Sequence, residues 1–308
     1  MGVRYKGMLL AAGLLLLGAC SDRTEMVSTA DLADIKIDNS DSTATNSATE
    51  NSSSNEKEKD LVQHIEEETS KSALSIQALV EKYTPITPQQ WGENVTGVKT
   101  QLDTADKVIA LTLDACGGVY GSGYDKDLIE FLKQHKIPAT LFVNSRWIDK
   151  NEEAFLSLSQ DPLFEIENHG TEHKPLSVSG KSAYSVQGTA TVEEAIQEIV
   201  ENEQKIEKLT GKAPKFFRSG TAHYDEVAVQ IAEELGETAV NYNLLGDAGA
   251  TFSSEQVKAA LLAAQPGSIA LLHMNQPESG TAEGIMQAVP LLLDQGFRFV
   301  KLEDHKLK

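Results

Sequence analysis

His169 and His173 lie in the run Asn168-His169-Gly170-Thr171-Glu172-His173, and a four-residue separation lets two imidazoles meet one metal ion. Four more polar residues end or interrupt apolar runs, where a charge has no packing reason to be. Asp114 closes Val108-Ile109-Ala110-Leu111-Thr112-Leu113, Arg218 follows Phe216-Phe217, Asp247 sits between Gly246 and Ala248, and His273 follows Ile269-Ala270-Leu271-Leu272. Each alone has a plainer reading, as a turn residue, a cap, a salt bridge or a satisfied core histidine. Their shared feature is position: each falls at or just beyond the C-terminal end of an apolar run.

For such residues to meet, the runs must be parallel strands that end on one face. β-Rich apolar runs occur at Val108–Leu113, Thr140–Val143, Phe164–Ile166, Phe216–Phe217, Thr238–Tyr242, Ile269–His273 and Phe297–Leu302. Helical patterns separate most of them, at Asp125–His135, Val192–Leu209, Asp225–Leu235, Glu255–Ala264 and Thr281–Leu293. The clearest is Val192–Leu209, with Thr191 and Glu194 placed as a capping box and Gly211 just past its end. Seven strands, each followed by a helix or long loop, predict an α/β fold. It is either a parallel sheet closed as a barrel or a doubly wound open sheet. Both gather their active residues at the C-terminal ends of the strands.

The N-terminal part serves a different purpose. Arg4 and Lys6 precede a small-and-leucine run, Met8 to Ala19, that as a helix would rise only about 18 Å against a bilayer core of roughly 30 Å. It reads as a signal-peptide core. Its end, Leu17-Gly18-Ala19-Cys20, resembles the bacterial lipoprotein processing site, which implies cleavage before Cys20, lipidation of its thiol and, with Ser21 following, an outer-membrane address where the host has one. Residues 21–60 predict a disordered acidic tether: 13 of the 17 residues from Asn39 to Asn55 are Ser, Thr or Asn, too little apolar surface to offset ordering entropy. Residues 61–104 predict a helical collar or lid, with Leu61, Ile65, Leu74, Ile76, Leu79 and Val80 near helical spacing and Pro85 and Pro88 ending the helix. The 308 residues carry 27 Lys+Arg and 46 Asp+Glu, a net charge of −19 that disfavours nucleic acid as a partner. With Cys20 acylated, Cys116 is the remaining thiol and has no bridging partner.

The order LTLDACGG … NHGTEH … FFRSGT … GD … LLH resembles the polysaccharide deacetylase (NodB-homology) family, carbohydrate esterases that remove acetyl groups from amino sugars. The resemblance covers residues 105–308 and implies a distorted (β/α)7 barrel. It assigns His169 and His173 to a divalent metal, Asp114 to the catalytic base, Arg218 to orienting that base, His273 to the general acid, and Asp247 to orienting His273. One departure matters: the second Asp of the family's first motif, its usual third metal ligand, is Ala115 here, followed by Cys116. The Arg motif, Arg218-Ser219-Gly220, also lacks its customary proline. Asp114, Cys116 or Asp125 could complete the metal shell, with Glu172 a further candidate; two imidazoles and a nearby thiol favour zinc.

The expected function is therefore a metal-dependent hydrolase. It would remove acetyl groups from an N- or O-acetylated cell-envelope or extracellular glycan, with a metal-bound water attacking the acetyl carbonyl. The expected partners are an acetylated poly- or oligosaccharide and, through the lipid anchor, the membrane; the chain is expected to be a monomer facing outward from the cytoplasmic membrane. Ala115 motivates an alternative, a non-catalytic glycan-binding lipoprotein that has lost full metal binding. A metallohydrolase acting on esters or peptides would use the same residues. Trp147 and Tyr224 are candidates for stacking on sugar rings.

Overall fold

At the centre of the fold lies a strand, Val108–Ala115, buried along its whole length. The computed structural model describes residues 75–308, all within the compact unit Leu61–Lys308. The leader, Cys20, the tether and residues 61–74 of the collar lie outside the described residues.

In chain order the elements are α1 (75–83), β1 (Val108–Ala115), α2 (Lys126–His135), β2 (Ala139–Val143), α3 (Ser145–Lys150), α4 (Glu152–Ser159), β3 (Phe164–Asn168), β4 (Ser182–Ala183), β5 (Val186–Gln187), α5 (Val192–Thr210), β6 (Phe216–Phe217), α6 (Glu226–Leu235), β7 (Thr238–Ala239), β8 (Leu244–Leu245), α7 (Ser254–Leu262), β9 (Ser268–His273), α8 (Thr281–Asp294) and β10 (Arg298–Val300). Eight of the described strands form one sheet in the order β7-β6-β3-β2-β1-β9-β8, with β10 added on β1. Every pairing in it is parallel. This is the expected distorted barrel, as a curled sheet with helices.

Register sets the working face. β1 pairs with β9 so that Asp114 lies opposite His273, and β2 pairs with β3 so that Val143 lies opposite Asn168, just before His169. Along β1 the two faces part by strict alternation. Ile109, Leu111, Leu113 and Ala115 join the main core with Leu128 and Leu132 of α2 and Ile285 and Leu292 of α8. Val108 and Ala110 pack on the other side with Phe142, Ile269 and Leu302; Thr112 and Asp114 continue that inner face as its polar end.

The predicted helices are present, and so is the Thr191 cap, whose side chain accepts from Glu194 N. The reciprocal half of the capping box is displaced, because the Glu194 carboxylate accepts from Ala190 N, one residue ahead of the cap. The predicted strand Thr238–Tyr242 shortens to Thr238–Ala239, since the carbonyls of Val240 and Asn241 accept from Arg218 instead. Three features carry too short or too weak a pattern to be read from sequence: β8, the β4–β5 hairpin and the α3–α4 pair.

The described part of the collar is integral to the domain. Leu79 and Tyr83 of α1 are buried against Val192 and Ile196 of α5 and Val227 and Ile231 of α6, and Tyr83 Oη donates to Glu234 at 2.6 Å. Residues 84–104 then run across the sheet ends, with bridges from Gly92 to Tyr224, Lys99 to Val240 and Gln101 to Ser268. Among the described residues no helix is long and apolar enough to cross a membrane.

Candidate active site

The end of β1 holds a buried ion pair. Arg218, fully buried just past β6, donates from Nη1 to Asp114 Oδ1 at 2.7 Å and to Thr112 Oγ1 at 2.8 Å. Nε and Nη2 donate to the carbonyls of Val240 and Asn241, both at 3.1 Å, and the guanidinium lies 4.1 Å over the Phe142 ring. A guanidinium so completely engaged has one orientation, so it fixes the Asp114 carboxylate and leaves Oδ2 free. That free oxygen faces His169 Nε2 at 3.5 Å.

His169 and His173 follow β3, with their rings 4.8 Å apart and nearly perpendicular. His169 Nδ1 lies 2.9 Å from the Arg218 carbonyl, which assigns the proton to Nδ1 and leaves a lone pair on Nε2. Cys116 Sγ lies 3.8 Å from that Nε2. Among the described residues, Cys116, His169 and His173 form a group whose ligand atoms all lie within 4.8 Å of one another. His173 Nε2 is buried with no hydrogen-bond partner, and an orphan of this kind costs about 1–3 kcal/mol. A divalent ion removes that cost, and a thiol with two imidazoles is a donor set such ions accept. The residues fit the group. Burial, the largest influence on the Cys116 thiol, pushes it up; the charge of His173 and hydrogen bonds from His169, His173 and His273 outweigh it, leaving the thiol well below its ordinary value.

The loop carrying His173 is built for it. His173 has φ 62, a left-handed conformation uncommon for any residue but glycine. The Glu198 carboxylate, from α5, accepts from the backbone N–H of both Glu172 and Lys174, the residues flanking His173. From the other side Gly220 packs so closely that a Cβ there would collide with the His173 backbone.

On the neighbouring strand, His273 Nδ1 meets Asp247 Oδ1 at 2.9 Å. Asp247 Oδ2 accepts from the His273 backbone N–H at 2.7 Å and from Thr281 Oγ1 at 2.9 Å. Burial pulls the imidazole's pKa down, but the Asp247 charge and hydrogen bond, helped by Cys116, hold it well above the ordinary histidine value.

The structure thus brings together Asp114, Cys116, His169, His173, Arg218, Asp247 and His273. Asp125 instead caps α2, its Oδ1 accepting from Leu128 N at 3.0 Å, and Glu172 is exposed and pairs with Lys174. Trp147 and Tyr224 are fully buried, so neither can stack on a sugar. The Trp147 indole donates to the Gly123 carbonyl at 2.7 Å, and Tyr224 Oη accepts from Ser219 N at 2.9 Å. Sequence reasoning passed over Glu198, Thr281 and Asn241. For Glu198 a signal existed: it and Asn202 stand four apart on the buried face of α5 beside Ala195, Ile199 and Ile206.

Comparison with known proteins agrees with the fold. The family model named polysaccharide deacetylase matches residues 101–240, a span that contains Asp114, Cys116, both histidines and Arg218 but stops short of Asp247 and His273. Over those 140 residues, a little under half of the chain, it is similar to this family. A relative from Bacillus subtilis (strain 168), the peptidoglycan-N-acetylmuramic acid deacetylase PdaA, is 24% identical over 210 residues, covering 66% of this chain and 72% of its own. Among solved structures, BA3943 of Bacillus anthracis, a CE4 family pseudoenzyme, is similar at TM-score 0.57 and 20% identity, covering 67% of each chain. A family 4 acetyl xylan esterase from Clostridium thermocellum, solved with a cobalt ion, has TM-score 0.53 and 23% identity, covering 64% of this chain and 89% of its own.

Proposed function

We propose that this chain is a metal-dependent deacetylase that removes acetyl groups from N-acetylated amino sugars of a peptidoglycan-class envelope glycan. It works while held at the membrane surface by lipid on Cys20. One observation carries the reading: the register of β1 and β9 sets Asp114, with its free Oδ2 3.5 Å from His169 Nε2, opposite His273. A proton acceptor and a proton donor therefore flank one small space beside the histidines.

Cys116, His169 and His173 would hold the ion, and the donor set favours zinc. When bound, a divalent ion supplies Lewis-acid polarisation of a carbonyl and a lowered pKa for nearby water. Asp114 takes the proton from the water whose oxygen adds to the acetyl carbon; Arg218, held on Oδ1, keeps that carboxylate aimed. An amide nitrogen leaves as a very poor anion unless it is protonated, so a separate acid is required. With Nδ1 engaged by Asp247, His273 Nε2 donates that proton as the C–N bond breaks, and acetate and the free amine depart. The similarity to PdaA supports the choice of glycan.

The test is metal content and acetate release measured together. The chain should hold about one ion and release acetate from soluble peptidoglycan fragments, and His169→Ala should lose both. Absence of bound metal and of acetate release in the wild type would favour the non-catalytic reading, the state of the BA3943 neighbour.

A further inference from the structure

Beside the catalytic centre, three segments from distant parts of the chain converge on one aromatic cluster, in which Tyr184 is exposed and Trp91 and His223 are half-buried. Trp91, from the stretch that precedes the family match, lies 5.8 Å from the His223 ring at an angle of 49°. Tyr184, at the tip of the β4–β5 hairpin, stands edge-on to the same His223 at 5.3 Å. Glu93 ties the group together: its two carboxylate oxygens accept from Tyr184 Oη at 3.2 Å and from Tyr242 Oη at 3.0 Å.

Two features mark this surface as more than scattered exposure. Tyr184 is 74% exposed, although its hydroxyl and ring edge are both held. It and Ser185 have φ of 49 and 63, the two left-handed positions of a two-residue hairpin turn that Asn-Gly normally fills. A tyrosine at such a position, kept out in solvent, is strained for something other than folding. The surface also adjoins the catalytic residues. The loop from Arg218 to Tyr224 holds Asp114 at one end and carries His223 near the other, with Gly220 against the His173 backbone between them. The His223 carbonyl accepts from Leu176 N at 3.0 Å, three residues beyond His173.

We infer that Trp91, His223 and Tyr184, braced by Glu93, form a subsite that binds a neutral pyranose ring of the glycan next to the one being deacetylated. This rests on the deacetylase reading above. A polymer must continue past the reacting sugar, and an aromatic surface bordered by the Glu93 carboxylate and the tyrosine hydroxyls it holds offers both ring faces and hydrogen bonds to it. The chain's net charge of −19 weighs against a polyanion in the same place.

The chain has two tryptophans, and Trp147 is fully buried, so a ligand-induced change in emission reports on Trp91. Titrating the full chain with N-acetylglucosamine tetramer should change that emission, and Trp91→Phe should abolish the change. In steady-state deacetylation Tyr184→Ala should raise KM for the tetramer about five- to tenfold, with kcat within about twofold and the monomer, which leaves the subsite empty, little affected. Emission from Trp147 checks that each variant is folded. No emission change in the wild type, or an unaltered tetramer KM in Tyr184→Ala, would overturn the subsite. A wild type that binds the tetramer through Trp91 yet releases no acetate would instead sink the deacetylase reading and leave the subsite standing.

Discussion

Replacing Glu198 with alanine should cost the chain most of its metal affinity while leaving it folded. The Glu198 side chain is 3% exposed, and its Oε1 accepts from Glu172 N and Lys174 N, both at 3.1 Å. Its removal frees two N–H groups. At about 1–2 kcal/mol each, the low end because Glu172 is exposed, the loss is roughly 2–4 kcal/mol. Burial opposes this, pushing the carboxyl up from 4.5 to about 6, so that at pH 7 the ionised group carries a folding cost of about 2 kcal/mol that alanine relieves. The two contributions largely cancel in stability, which makes metal affinity the discriminating assay. A loop that no longer holds His173 should bind zinc about 10–100-fold more weakly by competition with a chromophoric chelator. Glu198→Gln should keep near wild-type affinity, because one oxygen already serves both N–H groups. It should also abolish the loss of stability that wild type shows as pH rises from 4.5 through about 6. An alanine variant that binds zinc like wild type would refute the positioning role; a glutamine variant as weak as alanine would show that charge, not geometry, holds the loop.

Three further outcomes are expected. His273→Ala should cut turnover about 10²–10⁴-fold with metal content unchanged, and wild-type turnover would remove His273 from the mechanism. Cys116→Ser should weaken zinc binding at least about tenfold in the same chelator competition, and an unchanged affinity would exclude the thiolate from the metal shell. Glu237 is fully buried with Oε2 unpartnered, and its pKa, raised chiefly by burial, lies well above 4.5. The folded state then holds a proton that the unfolded chain gives up near 4.5, so stability falls as pH rises. Glu237→Gln should raise the urea midpoint at pH 8, with the gain shrinking toward pH 4.5; a pH-independent difference would mean that the carboxyl is not the cause.

Where the chemistry depends on strand ends, the sequence was legible. Asp114, Arg218, Asp247 and His273 each break an apolar run, and parallel strands must bring such breaks to one face. What supports them was not legible, because support is assembled across the chain. Arg218 is oriented by Thr112 and by carbonyls of residues 240 and 241, and Asn241 in turn donates to the Glu93 carbonyl at 2.6 Å. No local pattern encodes a carbonyl that leaves a strand to meet a guanidinium; the predicted Thr238–Tyr242 strand failed there. Trp147 and Tyr224 looked available for sugars because amphipathic aromatics serve cores and binding sites alike, and only burial separates the two uses. Trp91, in a proline-flanked stretch without periodicity, gave no signal at all.

Ala115 is better understood through strand geometry than as a lost ligand. On β1 the side chains alternate, and Ala115 is fully buried on the helix side with Leu111 and Leu113. Thr112 and Asp114 point the other way, toward Arg218. A residue at 115 reaches the metal side only if the chain leaves the strand geometry there. Here pairing persists through Ala115, which sits opposite Val143, and the next residue on the inner side is Cys116. Gly117, with φ 70, then turns the chain away and packs so tightly on Trp147 N that a Cβ would sit 2.7 Å from it. Pairing through Ala115 thus sets Cys116, and not residue 115, on the side of the histidines. Asp114 keeps Oδ2 clear of Arg218, and a thiol rather than a carboxylate lies beside the two imidazoles. On this geometry a carboxylate placed at position 115 would be buried among leucines and should destabilise the fold without adding a ligand.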